Sequence, residues 1–300
     1  MGVRRSLRFF LEGMKRWLDE SGSPPPSPEV PPVSFDNRYE WLGASFLELM
    51  RDPICARRPQ YIWGVLQGAA LGKVLGMQHV SVMEFGVAGG AGLISLEQVA
   101  GHCEKMINIE INVYGFDTGI GLPKPEDYRD CPQMWSEGYY PGDMEELAKR
   151  LRRAHLKLGL VKDTVPAFLQ SCPPPIAFAA FDLDFYSSTK EALNLFDGKH
   201  DILLPRIACF FRGIMGKSFS DYTGERLAIS EFNDTRSMRK LSPIYGLKYF
   251  VPREFSWYWP EMFYFLHNFD HPLYNAPDSL QKSAIIDIDG NDIARPVAKG

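Results

Sequence analysis

The chain has 300 residues, 45% hydrophobic and 23% charged, enough to bury a large core as one sizeable domain or two small ones. A formal charge of -4 gives no long-range attraction to phosphate backbones or anionic lipid, so nucleic acid is not an expected partner. Five scattered cysteines without a C-x-x-C pair suggest neither a disulfide framework nor a zinc knuckle. No apolar run approaches the roughly 20 residues of a membrane span, and a secretory leader is not evident, which makes the cytoplasm the expected location.

In chain order, residues 3–20 place Val3, Leu7, Phe10, Leu11, Met14, Trp17 and Leu18 at helical spacing beside five basic residues. This predicts an amphipathic basic helix that could touch a membrane surface, a partner or its own domain. Six prolines between Ser21 and Val33 make a semi-rigid linker. Residues 1–34 therefore form an appendage, 35–285 the main domain and 286–300 a tail. Within the main domain, residues 35–78 read as a helical cover ending at Gly76.

Strands are expected at 79–85, 108–116, 158–162, 176–183 and 202–211, alternating with helices such as 93–100, 144–156, 189–195 and 224–234. That rhythm predicts a doubly wound, Rossmann-like α/β fold with a mostly parallel sheet. Runs 247–251 and 262–266, flanked by Pro252 and Pro260, predict an antiparallel hairpin at one edge.

The segment Glu84-Phe-Gly86-Val-Ala88-Gly89-Gly90-Ala91-Gly92 follows the first strand and opens a helix. Small residues there let backbone amides approach a nucleotide-like ligand. Read as G-x-G-x-x-G the match is poor, because Ala88 and Ala91 hold the second and third places. An acid, Asp117, ends the second strand in Gly115-Phe-Asp117-Thr-Gly-Ile-Gly-Leu-Pro123, and a fixed carboxylate suits two ribose hydroxyls. Asp182 and Asp184, alternating at the end of the fourth strand, would share the face that lines the crevice of such sheets.

Glu84-x-Gly86-x-Ala88-x-Gly90 resembles the first motif of class I S-adenosylmethionine-dependent methyltransferases. The further segments Gly115 to Pro123, Asp182 to Thr189 and Gly224 to Phe232 resemble the macrocin O-methyltransferase family, over about half of the chain. The resemblance implies seven strands and S-adenosylmethionine as cofactor. It implies cofactor contacts at Gly86, Ala88 and Gly90, with Glu84 orienting the loop or reaching the cofactor amino group. Ribose contact at Asp117 and adenine contact near Asp163 are implied too. It also implies a hydroxyl of a small molecule or glycan as acceptor, Asp182 as ligand of a divalent metal such as magnesium, and Asp184 as base.

One departure bears on the metal. The family pattern has an Asp-Asp pair after the fifth strand, where this chain reads Cys209-Phe-Phe-Arg212-Gly213. A permanent cation beside a divalent ion is electrostatically costly. Three readings follow: Arg212 replaces the ion and joins Asp182 and Asp184 in the chemistry, Asp221 substitutes as a ligand, or catalysis is lost and a binding protein remains. A nicotinamide-dependent oxidoreductase is a further alternative. The loop Tyr128 to Tyr140, with Trp135, Tyr139 and Tyr140 and hinge glycines at 138 and 142, is expected to cover the acceptor. A homo-oligomer is compatible with the sequence.

Overall fold

The computed structural model describes residues 38–216, 220–251, 255, 258–276, 285–286 and 292–293. The basic helix at 3–20, the proline-rich linker and most of the tail lie outside the described residues.

Helices α1 (Arg38–Leu49) and α2 (Pro59–Val74) precede strand β1 (His79–Phe85), followed by α3 (Ala91–Ile107), β2 (Glu110–Asp117), α4 (Met144–Arg150) and β3 (His155–Leu158). Then come α5 (Val161–Gln170), β4 (Ile176–Phe181), α6 (Tyr186–Ala192), β5 (Leu203–Phe211), α7 (Gly224–Thr235), β6 (Arg239–Pro243) and β7 (Phe263–Asn268). The seven strands form one sheet in the order β3-β2-β1-β4-β5-β7-β6, with β7 antiparallel to both neighbours. This is the expected α/β architecture. The order reverses between β1 and β4, so the ligand crevice of such a sheet lies beyond their carboxyl ends.

Every residue of β4, and every residue of β1 but His79, is buried, which is why both read as continuous apolar runs. The register aligns one phenylalanine on each of four adjacent strands: Phe116 opposite Phe85, Phe85 opposite Phe181 and Phe181 opposite Phe211. Their rings stack at 4.5, 5.1 and 4.6 Å between centroids, with interplanar angles of 17°, 1° and 7°. All four are fully buried, and the next residues are Gly86, Asp117, Asp182 and Arg212.

Helix α2 lies directly on the sheet because Gly64, Gly68 and Gly72 recur at i, i+4 on its inner face. A Cβ at Gly64 would fall 2.3 Å from the Phe178 ring, and one at Gly68 2.4 Å from the Ala177 carbonyl oxygen. Residues 60–72 of α2 are all buried, so this helix is part of the core.

Several boundaries differ from the sequence reading. The helix expected at 144–156 stops at Arg150 because the Glu97 carboxylate takes the amides of Arg152, Arg153 and Ala154 and turns the chain into β3. The third strand accordingly spans 155–158 rather than 158–162, and Gly159 at φ +135 ends it. Residues 247–251 are no strand: Gly246 at φ +79 starts a 3-10 turn that buries Leu247 and Val251. The edge strand is Arg239–Pro243, whose sequence RKLSP buries only Leu241 and carries the basic residues that blunt an exposed edge.

Gly68→Ala should destabilise the protein by about 1–3 kcal/mol in denaturant unfolding, the backbone clash outweighing better helix propensity. Gly101→Ala, in α3 with nothing within 4 Å of the new Cβ, should stabilise it by up to about 1 kcal/mol.

Candidate functional site

Beyond the phenylalanine row opens a cavity of about 380 Å³. Gly86 and Ala88 of the glycine-rich turn line it, with Asp117, Asp182, Asp184 and Arg212 from the ends of the neighbouring strands. Trp135, Tyr139 and Tyr140 form its aromatic wall.

The turn is shaped by close contacts. Gly86, at φ +84, lies against the backbone of Asp182, where a Cβ would sit 2.2 Å from the carbonyl oxygen. Asp117 pins the next two residues: its Oδ2 accepts the amides of Val87 (2.8 Å) and Ala88 (2.9 Å), and its Oδ1 accepts that of Gly119 (2.7 Å). Of about four lone-pair positions on this carboxylate, three are thereby used. Asp117 therefore retains room for one ligand hydroxyl rather than the two expected from sequence, and its first task is to hold the loop.

Glu84 is 3% exposed and lies beneath the first turn of α3, where a Cβ on Gly92 would come 1.9 Å from its Oε1. Tyr61 of α2 donates its hydroxyl to that Oε1 at 2.5 Å, and Oε2 has no hydrogen-bond partner. Burial pushes the Glu84 carboxyl up to about 8 against the relief given by Tyr61 and Arg58. The sequence reading missed Tyr61, since one tyrosine among the apolar residues of a helix carries no signal.

Arg212 faces Asp182 at 3.3 Å (Nε to Oδ2), and this carboxylate is the main reason its guanidinium holds its proton more tightly than usual. A divalent ion at Asp182 would have to share the carboxylate with a fixed cation, so the donor set does not fit a metal. Asp221 offers no substitute, being exposed and paired with Arg226 at 2.5 Å. The one group of three potential metal ligands among the described residues, Asp52, Cys55 and His102, is outside the cavity. There, the two Asp52 oxygens already accept bonds from Ile54, Cys55, Gln98 and His102.

Asp182 and Asp184 reach the cavity by a different route from strand alternation. Strand β4 ends at Phe181, the Phe185 amide bonds the Leu183 carbonyl, and Asp184 takes φ +60. Ala88 (φ +46) and Tyr140 (φ +61) are also left-handed, so three non-glycine residues in strained backbone line one cavity. Strain of this kind costs about 1–3 kcal/mol per residue and clusters at functional sites. The start of the following helix is held by another acid. Its N-cap residue Phe185 makes no side-chain bond, and buried Asp130, unmarked in the sequence reading, takes the Ser187 amide and hydroxyl instead.

Three expected cofactor residues stand elsewhere, the buried Glu84 being the first. Gly90 does not line the cavity; its missing side chain makes room for Leu147, 2.3 Å from a hypothetical Cβ. Asp163 is exposed on the first turn of α5, and the cavity is bordered there by Gly159, Leu160 and Val161. Gly142 is packed against the Ala88 carbonyl and is no free hinge. Trp259 and Phe263 pack among Phe46 and Trp63 in the core rather than at the cavity.

No family model and no curated protein matches the chain. Among solved structures it is similar to CalS11, a calicheamicin methyltransferase, at 23% identity over 77% of this chain and 92% of that one, with a TM-score of 0.47. The apo form of that protein, described as a TDP-rhamnose 3'-O-methyltransferase, gives 22% identity over 76% and 92%, with a TM-score of 0.40. An O-methyltransferase from Bacillus cereus in complex with SAH gives 16% identity over 66% and 82%, with a TM-score of 0.32. These values assign no activity to this chain.

Glu84 generates a pH-dependent stability. Its folded value of about 8 exceeds the usual 4.5, so its contribution is present below pH 4.5 and is lost as the pH rises toward 8. Glu84→Gln, which copies the protonated form, should match the parent melting temperature at pH 4.5. Above that pH its unfolding free energy should exceed the parent's progressively up to pH 8, by at most about 1.4 kcal/mol per pH unit.

Proposed function

We propose that the cavity binds S-adenosylmethionine and that the protein methylates a hydroxyl of a small molecule or glycan. The observation that carries this reading is the Asp117 carboxylate, which occupies turn amides that a phosphate-binding fold would keep bare. The Val87 and Ala88 amides are already bonded to Asp117, and Glu84 lies under the α3 N-terminus. An anionic pyrophosphate has no vacant cradle there. A ligand with a sulfonium, an ammonium and ribose hydroxyls matches these groups, and the motif resemblance points the same way. This disfavours the nicotinamide alternative.

When bound, the cofactor supplies an electrophilic methyl group. The protein has to orient the acceptor and remove its proton. Asp184 is the base in this reading, held in one direction by its left-handed backbone. Arg212, paired with Asp182, orients the acceptor oxygen in the position the resemblance gives to a metal. Trp135, Tyr139 and Tyr140 wall the acceptor and exclude water. Among the described residues no helix is long and apolar enough to cross a membrane, and we infer that the acceptor is met in the cytoplasm.

Calorimetric titration should show binding of S-adenosylmethionine and S-adenosylhomocysteine and none of a nicotinamide dinucleotide; the reverse pattern would remove the methyltransferase reading. Asp184→Asn should leave cofactor affinity within about twofold and lower methyl transfer to a panel of hydroxylated sugars by 10²-fold or more, on the order expected for a general base. Chelator and added magnesium should change neither. Cofactor binding without transfer to any acceptor would favour a non-catalytic binding protein.

A further inference from the structure

A second cavity, of about 310 Å³, lies between α1, α2, strands β5 and β7 and residues 244–251, and it shares no lining residue with the first. We propose that it is a binding site for a small carboxylic acid with an aromatic body, whose head is held by Gln67 and Arg206. The proposal is independent of the cofactor reading of the first cavity.

Small residues on three sides make the space: Gly43 on α1, Gly68 on α2 and Ala208 on β5. The wall around them is apolar and aromatic. Phe46, Trp63 and Phe265 run along it, and the exposed rings of Tyr245 and Phe250 stand at its mouth. Such a wall suits a flat apolar body.

Gln67 breaks the pattern. Trp63, Gln67 and Leu71 recur at i, i+4 on α2, so a primary amide occupies the middle of an apolar stripe. It is 9% exposed, and its side chain makes no hydrogen bond among the described residues. A buried amide without a partner destabilises a fold, whereas leucine at the same place would not. A ligand in the cavity supplies the missing partner.

Arg206 is the one charged residue among the described residues that line the cavity. It leaves β5 on the same face as Ala208, two residues further on. Its Nη1 donates to the Tyr274 carbonyl at 2.8 Å, and its guanidinium lies 5.3 Å from the centre of the Tyr274 ring. A neutral carbonyl orients the fork and leaves its charge in place. His267, opposite Arg206 on β7, adds no negative charge. Guanidinium and amide N–H groups together match the two oxygens of a carboxylate; a neutral head gains less and an ammonium is repelled.

The test is calorimetric titration of the full chain with 3-phenylpropionate, its neutral amide and 3-phenylpropylamine, which differ only in the head. The acid should bind with a dissociation constant of about 1 mM or tighter, the amide at least about tenfold more weakly, and the amine not at all. Gln67→Leu should weaken the acid by about three- to tenfold while keeping or raising the melting temperature, because the amide has no partner in the unliganded protein to lose. Gly43→Phe introduces a Cβ with nothing within 4 Å and a residue of better helix propensity. It should fill the space, weaken the acid at least about tenfold and leave the melting temperature unchanged or higher. No binding of any of the three compounds, equal affinity for acid and amide, or preference for the amine would overturn the proposal. So would binding that survives Gly43→Phe, or a Gln67→Leu variant that melts earlier and binds as the parent does.

Discussion

The stacked row of Phe116, Phe85, Phe181 and Phe211 is the constraint on which the rest depends. Each ring sits one residue before a group at the cavity rim, and the rings are near-parallel across four strands. A shift of one residue in any of these strands would break the ring row and move the rim residue that follows it, so the core and the site share one register. Four residues separated by up to 126 positions, Gly86, Asp117, Asp182 and Arg212, are thereby delivered to one place. Their assembly is a consequence of packing.

Above that row, carboxylates replace anions. The positive end of α3 and the amides of the turn are the usual attraction of such a site for phosphate. Here Asp117 consumes two of those amides and Glu84 lies under the helix start, which under the proposed reading suits a ligand other than a phosphate. Arg212 balances Asp182 on the acceptor side, and this pair is what makes a divalent ion a poor fit.

The sequence made the strand-turn-helix at Glu84 to Gly92 legible because its signal is local: an apolar run, then glycines where no side chain fits. Asp117, Asp182, Asp184 and Arg212 were legible through strand ends and motif wording. Tyr61 and Asp130 were not, because each acts on residues far along the chain, Glu84 and Ser187, and neither belongs to a local pattern. Gly90 and Asp163 lie outside the cavity lining for a related reason. A motif fixes spacing, whereas Leu147 packing on one and the start of α5 at the other fix direction. The edge strand failed in the opposite sense: RKLSP lacks an apolar run because an exposed edge does not need one, and the apolar residues at 247–251 cover a 3-10 turn.

A crystal structure of the protein soaked with S-adenosylhomocysteine tests the central claim most directly. The account predicts the ligand in the cavity beyond the phenylalanine row, its ribose on Asp117 and its sulfur toward Asp184 and Arg212. Ligand seated instead in the second cavity, between α1, α2 and residues 244–251, would contradict it.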